Sequence, residues 1–282
     1  MNKQKHEESS VGTVDQPKVQ WILLRGLARE ARHWGVLPQE LIEKYSSELG
    51  YNIRVDCLDL PGSGRFSEMK SPISISEISE FMRDKYLELR QRQRMGGEEP
   101  ATETYLLAVS LGGMIASDWI DRWPEDFAGC VLVNTSFKGV SPFYKRLSPW
   151  ALVPLLKALV SPNAKDLETN ILNLISNRPE LQSQVLELWT HIAETRPVSI
   201  ENFFRQLLAA ARFEPSLRVP LMPVLILNSL QDRMVSASCS EQIAKRWNAD
   251  FQQHPTAGHD LPLDDSPWMV DEILKWYKTV RL

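Results

Sequence analysis

The stretch that decides the fold is TYLLAVSLGGMIA, residues 104–116. An apolar run stops at Ser110, two glycines follow, and the apolar character then resumes. The pattern predicts a buried strand ending at Val109 and a helix beginning at Leu111. Ser110 would then lie in a sharp turn between strand and helix, where its hydroxyl is exposed at the edge of a sheet.

Small residues surround this serine, as such a tight turn requires. Ala108 and Gly112 stand two positions to either side, and Gly113 would let the helix approach the sheet closely. A serine hydroxyl is a poor nucleophile unless a base takes its proton. Two interpretations of Ser110 follow, a catalytic nucleophile and a turn residue that caps the next helix. The choice depends on whether the chain supplies a base and an acid.

The rest of the chain alternates short apolar runs with segments of helical periodicity. Helical patterns cover 30–49, 75–94, a segment from Leu111, and 266–281. Strand-like runs lie at 21–26, 53–60, 104–109, 130–134 and 223–228, with a weaker one at 251–254. This alternation predicts an α/β fold with a mostly parallel central sheet of about six strands and helices on both faces. Because few residues precede the first strand, the antiparallel hairpin that often begins such a sheet is expected to be short or absent.

One part of the chain breaks this alternation. Residues 140–216 contain no convincing strand, and their apolar residues recur at helical spacing. We therefore predict a helical cap at 140–216 inserted into a core formed by 19–139 and 217–282, with 1–18 as a polar tail. Ligands of open parallel sheets bind outside the carboxyl ends of the strands, so the cap would cover a pocket there.

Composition excludes several classes of function. The net charge is −4, with 36 acidic and 32 basic residues, so no nucleic-acid partner is expected. No segment reaches the ~20 apolar residues of a membrane-spanning helix, and the first residues lack an apolar signal region. The cysteines are widely spaced and predict neither a metal site nor disulfides: Cys57, Cys130 and Cys239. A cytoplasmic protein with reduced thiols is expected, and its oligomeric state stays open.

The chain supplies a candidate base and a candidate acid. Of five histidines, His259 lies in a polar loop between the last strand and the last helix. Asp232 follows the fifth strand and would face the same sheet edge, whereas Asp260 adjoins His259 and folds back onto it with difficulty. The fourth strand ends at Asn134 without an acid. The order Ser110, Asp232, His259 is that of a nucleophile elbow with its triad partners.

Five stretches of the chain carry a family resemblance: LLRG (23–26), LDLPGSGRFS (58–67), AVSLGG (108–113), LNSLQDRMV (227–235) and AGHDLPLDD (257–265). Together they resemble the α/β-hydrolase superfamily over residues 19–282. The predicted cap and the compact size of the chain are similar to those of small capped bacterial esterases, such as the pimeloyl-carrier-protein methyl ester esterases.

The resemblance implies a serine hydrolase that cleaves a carboxylic ester of a small molecule through an acyl-enzyme. Ser110 would be the nucleophile, His259 the base and Asp232 the acid, with the backbone N–H groups of Leu27 and Leu111 as the oxyanion hole. No metal or organic cofactor is implied. Thioester hydrolysis and acyl transfer are variants of the same mechanism.

One position departs from the family pattern. The family usually has His-Gly after the first strand, and this chain has Arg25-Gly26. The arginine, with Gly26, is a possible substrate-binding element, because a guanidinium suits bidentate recognition of an oxyanion. The alternative is a locally paired arginine. An altered oxyanion loop also leaves a second function open, that of a non-catalytic ligand- or partner-binding homologue.

Overall fold

The computed structural model describes residues 19–98, 100–216 and 218–281, so the predicted polar tail at 1–18 lies outside the described residues. The strands are β1 (Val19–Leu24), β2 (Ile53–Leu58), β3 (Glu103–Val109), β4 (Gly129–Val133), β5 (Val224–Ser229) and β6 (Asp250–His254). The helices are α1 (Leu37–Leu49), α2 (Ile75–Met95), α3 (Leu111–Arg122), α4 (Phe143–Arg146), α5 (Pro149–Leu159), α6 (Ala164–Ile175), α7 (Pro179–Thr195), α8 (Ile200–Arg212), α9 (Ala237–Trp247), α10 (Leu261–Asp264) and α11 (Ser266–Val280).

The six strands form one sheet in the order β2-β1-β3-β4-β5-β6, and all five pairings are parallel. Leu24 pairs with Ala108, and Val109 pairs with Val133, so the carboxyl ends of β1, β3 and β4 lie side by side. The predicted α/β fold is confirmed. The turns that follow these strands meet at one edge of the sheet, and this edge positions the candidate site.

Alternate residues of β1, β3, β4 and β5 enter two separate cores, because successive side chains point to opposite faces of a sheet. On one face, Ile22 and Leu106 pack in a cluster with residues of α2, α3 and α9. On the other face, Trp21 and Leu107 pack with residues of α1 and α11. Burial on both faces explains why the strands read as nearly continuous apolar runs.

The predicted helix over 30–49 is wrong in its first part. A 3₁₀ helix covers Ala31–Trp34, and α1 begins only at Leu37. Gly35 separates them with φ of 57°, a left-handed conformation that ends a right-handed helix. The apolar stripe predicted from Trp34 onward continues through both pieces, so periodicity alone did not detect the break.

Five helices, α4 to α8, lie between β4 and β5, where the sequence predicted a helical segment at 140–216. They have a core of their own, in which Leu155, Leu172 and Trp189 are buried together with Met234 and Val235 from the loop after β5. We call these five the inserted helices. The division into a core and a cap at the stated boundaries stays a prediction. None of the helices in the described ranges is long and apolar enough to cross a membrane.

Candidate active site

Ser110 lies in the turn between β3 and α3, as predicted. Its backbone has φ of 56° and ψ of −117°, a strained conformation for a residue with a side chain. Two hydrogen bonds hold it there, from Ser110 N–H to the Val133 carbonyl (2.8 Å) and from Thr135 Oγ1 to the Ser110 carbonyl (2.8 Å). The neighbouring ends of β3 and β4 therefore fix the direction of the serine side chain.

The glycines of the turn are required by close packing against it. A Cβ on Gly112 would lie 2.7 Å from the carbonyl oxygens of Leu24 and Arg25, and one on Gly113 would lie 2.7 Å from the Thr135 side chain. Gly26 also packs closely on the other side, since a Cβ there would lie 3.1 Å from Ser110 Cβ. The loop after β1 and the start of α3 thus enclose the serine.

His259 joins the serine to the aspartate. Its Nε2 lies 3.0 Å from Ser110 Oγ, and its Nδ1 lies 2.6 Å from Asp232 Oδ2. The other carboxylate oxygen of Asp232 accepts hydrogen bonds from Met234 N–H (2.7 Å) and Val235 N–H (2.9 Å). Three side chains from three different turns of the sheet edge therefore form one continuous hydrogen-bonded series.

The surroundings of His259 control its charge. Burial disfavours the imidazolium, but the adjacent Asp232 carboxylate, through its charge and its hydrogen bond, outweighs this effect and raises the pKa of His259. Asp260 acts in the same direction and Arg25 in the opposite one. The ring is poised to accept a proton at Nε2 while Asp232 holds the proton at Nδ1.

The loop that carries His259 is fixed by two polar side chains. Asn134 donates from Nδ2 to the His259 carbonyl (2.8 Å) and accepts from Ser229 N–H (2.8 Å), which joins β4, β5 and this loop. Asp264 accepts from Gly258 N–H (2.6 Å) and from Ser176 Oγ (2.5 Å), which lies at the end of α6. The inserted helices thus support the position of the histidine.

The two residues whose backbone N–H groups are predicted to form an oxyanion hole, Leu27 and Leu111, line the same cavity as Ser110. Leu111 is the first residue of α3, where helix N–H groups have no acceptor within the helix. Leu27 follows the loop that packs on Ser110, and Ala28 beside it has φ of 55° and donates its N–H to Gln206 Oε1 (3.0 Å). Gln206 also donates to the Pro61 carbonyl (3.2 Å), so α8 holds this loop in its left-handed conformation.

Arg25 is engaged by a carboxylate of the chain itself. Its Nη1 and Nη2 donate to Asp260 Oδ1 (3.1 Å) and Oδ2 (2.5 Å), and both side chains are only 3% exposed. The guanidinium also stacks over Trp34, 5.0 Å from the ring centroid. This geometry supports local pairing rather than a free anion clamp. Through this pair, Asp260 joins the loop of His259 to the loop of Leu27.

A second buried cluster extends from the same loop into the inserted helices. Arg29 Nη1 donates to Glu168 Oε1 (3.1 Å) and Oε2 (2.9 Å) and lies 3.2 Å from His33 Nε2. Arg29 also stacks on Trp189, 4.7 Å from its centroid. Burial and the nearby Arg29 and Arg25 charges hold the pKa of His33 well below its usual value. His33 is therefore a neutral structural residue.

A cavity of about 720 Å³ lies between the sheet edge and the inserted helices. Ser110 and His259 line it at one side, together with Leu27 and Leu111. Most of the remaining wall is apolar and comes from the inserted helices, including Leu155, Leu167, Ile171, Ile192, Phe203 and Leu207. The charged groups Arg25, Arg29 and Glu168 form a polar part of the wall.

The described residues contain no cluster of three or more histidine, cysteine or acidic side chains able to hold a metal ion. All three cysteines are free. Cys130 and Cys239 are buried, whereas Cys57 is partly exposed. Burial raises the pKa of the Cys57 thiol to about 12, which keeps it protonated.

Sequence reasoning missed three residues that support the site, Asn134, Gln206 and Asp264. Asn134 was noted only as a strand end without an acid. Gln206 lies within the predicted helical segment at 140–216, and Asp264 lies within the quoted stretch AGHDLPLDD, where neither has a signal of its own. Asn134 has a local signal, because asparagine tolerates the left-handed conformation that it adopts here, with φ of 47°. The contacts of the other two depend on distant parts of the chain.

The sequence matches the model of the alpha/beta hydrolase family over residues 21–272, so the chain belongs to this family. Curated protein sequences gave no match. The 2-hydroxy-6-oxo-6-phenylhexa-2,4-dienoate hydrolase from Rhodococcus sp. strain RHA1 has a similar structure, with a TM-score of 0.71, 18% identity, and coverage of 93% of this chain and 91% of that chain.

Two esterases have similar structures as well. The thermophilic esterase from Thermogutta terrifontis has a TM-score of 0.67 at 17% identity, covering 95% of this chain and 92% of that chain. The esterase from Rhodococcus sp. ECU1013 has a TM-score of 0.66 at 19% identity, covering 93% and 91%. At these identities the likeness shows a shared fold.

Proposed function

We propose that this protein is a serine hydrolase that cleaves a carboxylic ester or thioester through an acyl-enzyme. The observation that carries the proposal is the hydrogen-bonded series from Ser110 Oγ through His259 to Asp232, with distances of 3.0 and 2.6 Å. A turn serine without a catalytic role needs neither a buried imidazole at its hydroxyl nor a carboxylate behind that imidazole.

In the first half of the reaction, Ser110 Oγ attacks the acyl carbon and its proton passes to His259 Nε2. Asp232 stabilises the resulting imidazolium, in agreement with the raised pKa of His259. The carbonyl π electrons move to oxygen, which becomes an oxyanion. The N–H groups of Leu27 and Leu111 would receive this charge, and one such donor lowers the barrier by ~3–4 kcal/mol in comparable sites.

The tetrahedral intermediate then collapses. The bond from the acyl carbon to the leaving oxygen or sulfur breaks, His259 gives its proton to the leaving group, and the acyl-Ser110 ester remains. In the second half, His259 takes a proton from water, and the hydroxide attacks the acyl carbon. Collapse of the second intermediate releases the acid and returns the proton to Ser110 Oγ.

The cavity supports an acyl substrate. Its apolar wall, built from the inserted helices, suits a hydrocarbon chain, and its reactive side chains lie at the sheet edge. The inserted helices would act as the cap, with residues 19–139 and 217–282 as the catalytic core. The resemblance to pimeloyl-carrier-protein methyl ester esterases makes methyl esters of medium-chain acids the first substrates to test, followed by matched thioesters.

A fluorophosphonate probe tests the proposal, because it reports an activated serine without knowledge of the substrate. We expect the folded wild type to be labelled, and Ser110→Ala and His259→Ala to lose labelling. Ser136→Ala is the matched control. Ser136 also lines the cavity and is buried, but its Oγ has no hydrogen-bond partner among the described residues.

Two outcomes would contradict the proposal. One is labelling of the Ser110→Ala variant, and the other is a folded wild type that is not labelled. Absent labelling in a folded wild type would favour the alternative function, a non-catalytic homologue that binds a ligand in the same cavity. Thermal shift with the apolar substrate panel would then detect binding without turnover. A ligand that raises the melting temperature of the protein without acylating Ser110 would identify such a binder.

A further inference from the structure

The helix α5 exposes an unusual amount of apolar surface. Its buried stripe consists of Ala151, Leu155 and Ala158, which pack toward the other inserted helices. Its opposite stripe is also apolar and faces solvent, with Trp150 87% and Val160 80% exposed. Val153 and Leu156 lie between them and are exposed as well. A helix of a globular protein normally presents polar residues on this side.

The preceding helix α4 extends this surface to the cavity. Phe143 is 80% exposed, and Tyr144 beside it is also exposed. Phe143, Pro149 and Leu152 contribute at the same time to the wall of the cavity that contains Ser110. The exposed apolar surface is therefore continuous with the cavity. We call it the α4–α5 surface, formed by Phe143, Tyr144, Trp150, Val153, Leu156 and Val160.

The charge of this part of the chain is one-sided. Residues 127–165 contain no Asp or Glu but five basic residues, Lys138, Lys145, Arg146, Lys157 and Lys165, in a protein whose net charge is −4. Lys157 lies on α5 itself, on the same stripe as Trp150 and Val153 and exposed to solvent. Neither Lys145 nor Lys157 has an acidic partner among the described residues, so their charges are available to an external anion.

We infer that the α4–α5 surface docks onto an anionic lipid bilayer, with the helix α5 lying in the plane of the interface. Trp and Tyr prefer the boundary between lipid and water, and apolar helices with flanking Lys lie on such surfaces. An anionic bilayer matches the basic charge, and its acyl region matches the apolar stripe. Docking would place the cavity over lipid, from which an acyl substrate enters directly.

The binding itself does not depend on the proposed function. It is measured with the Ser110→Ala full chain by flotation with vesicles of phosphatidylcholine alone or with vesicles of which about one third is phosphatidylglycerol, an anionic lipid whose surface potential attracts basic segments. We expect the chain to float with the anionic vesicles and to remain largely unbound with the neutral ones. Raised salt should weaken the binding because surface charges are screened.

Matched variants distinguish binding through the α4–α5 surface from nonspecific adsorption to vesicles. Trp150→Ser with Val153→Ser should weaken binding at least about tenfold, because the apolar area that these two side chains would bury in the bilayer is lost. Val219→Ser with Leu221→Ser is the control. These two residues are also exposed, but they precede β5 and so lie at the opposite sheet edge. The control variant should bind as the wild type does.

A second pair of variants tests the electrostatic contribution of lysine to vesicle binding. Lys157→Gln should weaken binding to anionic vesicles about fivefold, because one lysine near such a surface contributes about 1 kcal/mol. Lys275→Gln, on α11, should have no effect. Absence of flotation, equal flotation with neutral vesicles, or equal losses in target and control variants would overturn the inference. Self-association of the wild type that Trp150→Ser with Val153→Ser abolishes, without vesicle binding, would instead assign the surface to a second copy.

Discussion

Replacement of Arg25 by Met tests whether the unusual residue after β1 is a structural partner of Asp260. Methionine keeps much of the side-chain volume and its packing on Trp34, but it removes the guanidinium. Asp260, whose side chain is 3% exposed, then has no cationic partner at hydrogen-bond distance. The variant therefore measures the cost of an uncompensated buried carboxylate.

The geometry sets the expected magnitude. The pair is bidentate, with distances of 3.1 and 2.5 Å, and both partners are buried. Breaking such a pair from one side costs about 3–5 kcal/mol, which for a domain of this size lowers the Tm by about 6–10 °C. Removing both partners, in Arg25→Met with Asp260→Leu, should recover most of this loss, because no charge is then left buried.

The pH profile of ester hydrolysis provides a second readout on the same variants. In the proposed mechanism His259 must be neutral to accept a proton, so activity should fall below its pKa. Arg25 lowers and Asp260 raises the pKa of His259. Arg25→Met should therefore move the acid limb of kcat/KM to higher pH, and Asp260→Asn should move it to lower pH.

Thermal unfolding gives the Tm of the wild type and of each variant, and urea titration gives their free energies of unfolding. The double-mutant cycle of Arg25→Met and Asp260→Leu then gives the coupling energy of the pair. A loss below about 1 kcal/mol in Arg25→Met would refute the argument, because it would mean that the pair is solvated or readily replaced. Arg25→His restores the usual family residue. It should also be destabilised and should gain no activity. A large gain of hydrolysis there would favour the view that Arg25 impairs the oxyanion loop.

Three further perturbations follow from the geometry of the site. Asp232→Asn should lower kcat by about 10⁴-fold and move the acid limb to lower pH, since Asp232 raises the pKa of His259; a profile unchanged in position would contradict this. Gly112→Ala should destabilise the fold by about 1–3 kcal/mol, because the added Cβ would lie 2.7 Å from the carbonyl oxygens of Leu24 and Arg25. A variant that melts at the wild-type temperature would show that the turn relaxes freely. Gln206→Leu leaves the Ala28 N–H without its acceptor and should reduce kcat more than it raises KM. An effect on KM alone would assign Gln206 to substrate binding rather than to positioning of the oxyanion loop.

Much of the fold could be predicted because its signals are local. Apolar runs indicated the first five strands, since the inner strands of such a sheet are buried on both faces. The edge strand β6 is mostly polar and exposed, so its signal was weaker. The turn at Ser110 was predictable because crowding there excludes large neighbours. The helix over 30–49 failed for the opposite reason. Its apolar stripe was correct, but Gly35 interrupts the backbone while leaving the stripe intact.

The meeting of Ser110, Asp232 and His259 could also be predicted, since each follows a strand of a parallel sheet and such strands end at one edge. The sequence alone therefore determined which strands form, that their carboxyl ends meet, and which three side chains lie at that edge. It did not determine their partners. Asp260 pairs with a residue 235 positions away, and Gln206 reaches across 178 positions to Ala28.

The same holds for the surface of α5. From its sequence, PWALVPLLKALV at 149–160 is a short apolar helix, and periodicity does not say which of its stripes is covered. Only the tertiary structure decided that Ala151 and Leu155 are buried while Trp150 and Val153 face outward. The physical reason is that steric and periodic preferences act between near neighbours in the chain. Burial and charge pairing depend instead on which distant segments the folded backbone brings together.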